Sequence, residues 1–254
     1  MKRTARTPSL QEKVLQVTLL LEKTLGEPKQ SAKRAKPLDM LIATILSQNT
    51  NDQNSFRAFS NLKKQFPTWD AVRTAKTQAI ASAIKTGGMA NQKSVRIKNL
   101  LNRIYKEFGS LDMSFLKKKS NEEIFELLTS FDGVGTKTSA CVLLFSLRRE
   151  VFPVDTHVHR ICNRLGFTPE AKTPDQTFEA MKNLVPEGKA YSLHTNLIRF
   201  GRKTCKAVNP LCGNCPLYDY CRYKDKEKYR KSTLNTSASE KTDFMLLDNV
   251  VPKA

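Results

Sequence analysis

The sequence predicts an all-α protein, and three observations carry that reading. Strand-like alternation is scarce. Apolar residues recur at helical spacing. Glycines, prolines and capping residues cut the chain into pieces of helix length. The 254 residues suit one large domain or two small ones.

Taken in order, "LQEKVLQVTLLLEKTL" (10–25) is an amphipathic helix stopped by Gly26, and 26–37 is a polar, basic connector. Residues 38–48, "LDMLIATILSQ", are apolar on most sides and read as a buried helix. A helix over 52–66 ends at Pro67, and a short one over 76–85 stops at Gly87–Gly88. Residues 91–108 form a long amphipathic helix with a basic exposed face. Residues 120–130 open on Ser120 and Glu123, the spacing of a capping box. A helix over 136–148 precedes Pro153, and another over 156–165 ends at Gly166. Two more cover 174–185 and 188–201, and a cysteine-rich segment fills 205–221. After Tyr229 the pattern is lost, so 230–254 is expected to be a disordered tail in which only "FMLLDNVV" has the character to dock.

Charge narrows the function. The net charge is +19, and the excess is spread over 1–37 (9 basic, 3 acidic), 38–149 (17 and 9) and 199–231 (10 and 3). Such a distribution points to a polyanionic partner, nucleic acid first, rather than to a basic tail on a neutral domain. No apolar run is long enough to span a membrane. The basic start "MKRTARTPSL" has no apolar stretch after it, so a secretory signal is not expected, while a transit or nuclear role for that arm stays open. An intracellular protein follows, in the cytoplasm or nucleoid if the source is bacterial or archaeal, and its cysteines are then metal ligands or packed thiols.

Cys205, Cys212, Cys215 and Cys221 are spaced C-x6-C-x2-C-x5-C. Zinc sites usually show two short cysteine knuckles, and only Cys212 and Cys215 have that spacing. Four thiolates equally hold a four-iron four-sulfur cluster, so spacing alone leaves zinc and iron–sulfur even. Cys141 and Cys162 lie on apolar helix faces and read as packing residues.

The stretch "LLTSFDGVGTKTSACVLLF" (127–145) is two apolar helices joined by Gly133–Val134–Gly135. The glycines permit a tight turn and close approach to a phosphate, with amides and a helix N-terminus as the anion site. A lone Gly-x-Gly is weak, and an ordinary interhelical turn is its plain alternative. Lys137 stands in the first turn of the second helix, and Asp155 follows in "VFPVDTHVHRICNRLG" (151–166). Taken singly, Lys137 reads as a phosphate contact and Asp155 as an N-cap.

Hairpin, cysteine pattern, lysine and "VDTH" together resemble the endonuclease III family of helix-hairpin-helix DNA glycosylases, over about residues 10–228. The resemblance implies a six-helix barrel domain over 38–149 and a helical 4Fe-4S cluster domain from 8–37 and 150–229. It implies a structural 4Fe-4S cluster on Cys205, Cys212, Cys215 and Cys221. It makes Lys137 the nucleophile of a Schiff base and Asp155 its catalytic partner. It assigns DNA contacts to Gly133, Val134 and Gly135, to Lys206 in the cluster loop, to Met89 as an apolar wedge, and to Gln48 or Asn49 as a second wedge. Core filling is the plain alternative for Met89. Asp132 stands where members usually have proline and is expected to point away or cap the helix. In the loop "KAVNPL" (206–211) only Lys206 is basic, with Arg202 and Lys203 just upstream to compensate. His157, His159 and His194 lack metal spacing and receive no catalytic role.

The implied function is a monomeric bifunctional glycosylase and abasic-site lyase of base excision repair, acting on double-stranded DNA with damaged bases or abasic sites. Oxidised pyrimidines such as thymine glycol are the expected substrates. Alternatives are a monofunctional glycosylase for mispaired or other modified bases, and a non-catalytic iron–sulfur DNA-binding protein. Lys137 argues against the adenine-mispair relatives, which lack it, whereas "FPVDTH" also resembles the plant 5-methylcytosine glycosylases. The helix dipole favours a neutral amine by only about 0.3–1 kcal/mol, less than one pKa unit, so desolvation is expected to supply most of what nucleophilicity requires.

Overall fold

A computed structural model describes residues 8–233 and 245–250. All regular elements among them are helical. The chain divides into two compact units, Gln30–Arg149 with Phe244–Ala254, and Met1–Lys29 with Glu150–Asp243.

The first unit is built on α2 (Pro37–Ser47), where all residues from Pro37 to Leu46 are buried. Pro37 supplies the fixed φ of a first helical position. Even Asp39 is buried; it accepts the Trp69 indole N–H at 2.8 Å, and Lys63 lies 3.8 Å from it and over the Trp69 ring. A carboxylate is tolerated there because it is bonded and paired. Around α2 stand α3 (Asp52–Gln65), α4 (Trp69–Thr74), α5 (Thr77–Ala83), α6 (Ala90–Phe108), α7 (Asn121–Thr129) and α8 (Thr136–Cys141). The sequence predicts six helices here, and among the described residues there are seven α-helices. The extra one, α4, is a six-residue helix that starts from the Thr68 side chain and is too short to show a period. The second hairpin helix is not uniform either: after α8 the chain widens into a π-helical turn over Val142–Ser146, with the Leu147 N–H reaching back to Val142 O at 3.1 Å.

Two boundaries differ from expectation. Residues 30–37 belong with the first unit, because Ala35 is buried there and Ser146 Oγ donates to its carbonyl at 2.7 Å. The expected tail is also ordered in part. Met245, Leu246 and Val250 are buried, since this apolar patch within "FMLLDNVV" has more to gain from packing than from water. Of the remaining tail, 234–244 and 251–254 lie outside the described residues. Residues 230–233 are described, and Ser232 O accepts the Gly213 N–H at 2.9 Å.

In the second unit α1 (Leu10–Leu25) begins with a full capping box from Ser9 and Glu12 and packs on α11 (Ala190–Lys203). That helix, buried from Ala190 to Ile198, also packs on α9 (Thr156–Leu165), which meets α10 (Pro174–Met181). His194 is fully within this core, its Nδ1–H donating to Pro153 O at 2.8 Å. Among the described residues no helix is long and apolar enough to cross a membrane.

Candidate active site and cluster centre

The hairpin turn follows from its residues. Gly133 adopts φ +73, a left-handed conformation that side chains disfavour. A Cβ there would also meet the Arg96 side chain, Nε at 2.1 Å, which would have to swing aside. Gly135 has φ −103 and no atom within 4 Å of where its Cβ would stand, so nothing around it requires a glycine. Val134, expected as a DNA contact, also has an internal role. Its side chain is buried and its N–H is donated to Phe131 O at 3.1 Å, which leaves it closing the turn by packing. Lys137, half-buried, sits in the first turn of α8 directly after this bend.

Arg96 on α6 is the partner that sequence reading missed. Its Nη1 donates to Gln48 Oε1 at 3.0 Å, and Gln48 Nε2 donates to Gly133 O at 3.1 Å. Asp132 faces solvent, with a carboxylate oxygen 3.9 Å from Arg96 Nε. Gln48 therefore braces the hairpin. Its neighbour Asn49 is exposed and lies 3.5 Å, Nδ2 to Sδ, from Met89. Met89 is 47% exposed, which excludes core filling. The structure thus brings together Gln48 with Gly133, and Asn49 with Met89.

In the other unit Asp155 is the N-cap of α9, its Oδ1 accepting the Val158 N–H at 2.8 Å. Lys137 and Asp155 belong to different units. Desolvation lowers the pKa of His157, partly offset by the Asp155 charge, and Arg160 Nη2 lies 3.2 Å from its Nδ1. Burial also lowers His159, whose Nδ1 is 2.7 Å from Thr177 Oγ1.

The four cysteines line one cavity, together with Arg164 and Lys226. Among the described residues no three such side chains converge tightly enough to hold a single ion. Burial pushes the Cys215 thiol up to about 12 and raises Cys212 and Cys221 as well. Thiols so placed ionise when a metal takes the proton's place. The basic shell suits the result: Arg164 Nη1 is 3.3 Å from Cys205 Sγ, and Lys226 Nζ donates to Cys221 O at 2.9 Å. Arg164 also holds the Lys206 and Ala207 carbonyls and Arg160 the Cys205 carbonyl, so Lys206 itself projects, exposed, from a braced loop.

Comparison with known proteins agrees with this geometry. Residues 42–187 match the model of the HhH-GPD superfamily of base excision DNA repair proteins, and 205–221 match the iron–sulfur binding domain of endonuclease III. An Arabidopsis thaliana protein, itself named as a DNA glycosylase candidate, is 39% identical over 196 residues, covering 77% of this chain and 63% of that one. The chain therefore spans under two thirds of that plant relative. Endonuclease III of Thermotoga maritima is 36% identical over 191 residues, covering 75% of this chain and 85% of that one. Among solved structures, a trapped endonuclease III–DNA covalent intermediate superposes with TM-score 0.74 at 23% identity, covering 87% of this chain and 99% of that one. Its share in the argument is the fold. The cavity ringed by Cys205, Cys212, Cys215 and Cys221 is accordingly a 4Fe-4S site, and the chain belongs to the endonuclease III family, DNA glycosylases of base excision repair within the HhH-GPD superfamily.

Proposed function

We propose that the chain is a bifunctional DNA glycosylase and abasic-site lyase that excises oxidised pyrimidines, thymine glycol among them, from double-stranded DNA. The observation that carries the reading is Lys137, half-buried and the second residue of the helix that follows the glycine turn, where a phosphate anchor would bring a sugar to its amine.

The chemistry uses both named residues. The bond from C1′ to the base breaks, the base leaves with the electron pair, and the sugar gains cationic character that the Asp155 carboxylate stabilises. The Lys137 amine attacks C1′, the ring C1′–O4′ bond breaks, and a Schiff base forms. Loss of a C2′ proton next to the iminium expels the 3′ phosphate and nicks the strand; water then releases the lysine. The 4Fe-4S group supplies structure to the loop that carries Lys206. Duplex opening falls to Asn49 and Met89, both exposed and adjacent, while Gln48 is committed to the hairpin.

A panel of duplexes with single lesions tests this. Thymine glycol should be excised and its strand nicked; Lys137→Ala should abolish nicking, and Asp155→Asn should slow excision. Release of a mispaired base without any nick would instead favour a monofunctional glycosylase.

A further inference from the structure

The long helix α6 was expected to show its lysines to solvent, yet Lys93 is 2% exposed. Its ammonium donates to Leu46 O at 2.8 Å and to Gly87 O at 2.9 Å. The two carbonyls have different origins. Leu46 lies in the last turn of α2, three residues before Asn49, where helical carbonyls have no partner within the helix. Gly87 ends a 3-10 turn two residues before Met89, and a Cβ on it would lie 3.0 Å from Ala58 Cβ. Lys93 thus grips both segments at once, and its own N–H donates to Met89 O at 3.0 Å.

Just beyond the two grips the backbone does something costly. Asn49 has φ +54 and Met89 has φ +49, both left-handed and neither a glycine. Left-handed residues persist where their surroundings over-determine them, and such positions gather at functional sites. Here the two face each other, Asn49 Nδ2 against Met89 Sδ.

We infer that Lys93 is the positioning residue of the duplex-opening step: by tying Leu46 O to Gly87 O it holds Asn49 and Met89 together as one two-part wedge. A single cation does what two neutral donors would otherwise do, because one ammonium carries three N–H groups. Desolvation lowers this amine to about 8, with Arg96 adding to the effect, so the charge is kept at neutral pH at the expense of its hydration. The inference rests on Asn49 and Met89 being the wedge.

The test compares wild type with Lys93→Met, which keeps the volume and removes the donors. Excision is timed under single-turnover conditions on a thymine glycol duplex, and abasic-site cleavage on a single strand, where nothing has to be opened. A 2-aminopurine opposite the lesion reports unstacking. Lys93→Met should slow duplex excision at least tenfold and remove the fluorescence rise, with single-strand cleavage within about twofold. Adding Asn49→Ala and Met89→Ala to it should then cost little more. Equal loss on both substrates, or no loss on the duplex, overturns the inference. If Lys93→Met does not fold, Lys93→Leu, which also removes the donors, is read by the same criteria, and failure of both to fold would make Lys93 a core residue and overturn it too. Should Asn49→Ala and Met89→Ala in wild type leave duplex opening intact, the wedge assignment itself is wrong, whatever Lys93 does.

Discussion

The hairpin turn and the cluster loop are both irregular segments, each assigned a DNA contact by the proposed function, and they are held in opposite ways. The hairpin is closed from within: Val134 packs inward, its amide returns to Phe131 O, and Arg96 and Gln48 seal the outside of Gly133. The cluster loop is held by a centre that the protein does not itself provide. Its thiols line a cavity, burial raises three of them, and the neighbouring Arg160, Arg164 and Lys226 bind carbonyls around the rim. In both, basic side chains are spent inside the protein, Arg96 on the Gln48 side-chain oxygen and Arg160, Arg164 and Lys226 on backbone carbonyls. A net charge of +19 therefore overstates what is left for phosphates.

The largest break in this comparison is Cys215→Ala. Because structural metal binding is folding free energy, loss of one thiolate should release the iron and unravel the loop, at a cost of several kcal/mol. Iron content and visible absorbance should fall together while the hairpin unit keeps its helices; intact iron in Cys215→Ala would refute the self-contained versus metal-held contrast.

Within the hairpin the two glycines should separate. Gly133→Ala forces a side chain into a left-handed residue and onto Arg96, at about 1–2 kcal/mol or more in thermal unfolding. Gly135→Ala meets no neighbour and should change stability by less than about 0.5 kcal/mol. Equal effects from the two would mean that the left-handed backbone at Gly133 carries no cost.

Smaller still are the caps, one in each unit. Ser9→Ala and Ser120→Ala each remove a capping-box acceptor and should cost about 1 kcal/mol in denaturant unfolding.

The smallest effect is acid sensitivity in the cluster unit. His157 and His159 have folded pKa values below the ordinary 6.5, so the unfolded chain binds more protons between the two values. Their neutral forms therefore contribute stability that is complete above about 6.5 and is lost as pH falls through the lowered folded values. The unfolding midpoint should drop across that window, and less so in His157→Asn; a flat profile would contradict it.

Most of this was legible because it is written locally. The capping box at Ser120, the glycine stops and the C-x6-C-x2-C-x5-C spacing are each contained in a short stretch of sequence. What was missed is non-local. Lys93 and Arg96, three residues apart on α6, look like a solvated basic face until α2 and the hairpin are packed against them. Val134 reads as part of a phosphate loop, and only the turn's closure shows its amide already used. The six-residue α4 has no period to detect, and the docked Met245–Val250 segment depends on a surface far away in the chain.

The central claim concerns one amine. Borohydride added to the enzyme on a thymine glycol duplex reduces any iminium to a stable amine link. The account predicts a covalent protein–DNA complex with wild type and none with Lys137→Ala. No complex with wild type, or one that survives Lys137→Ala, would contradict it.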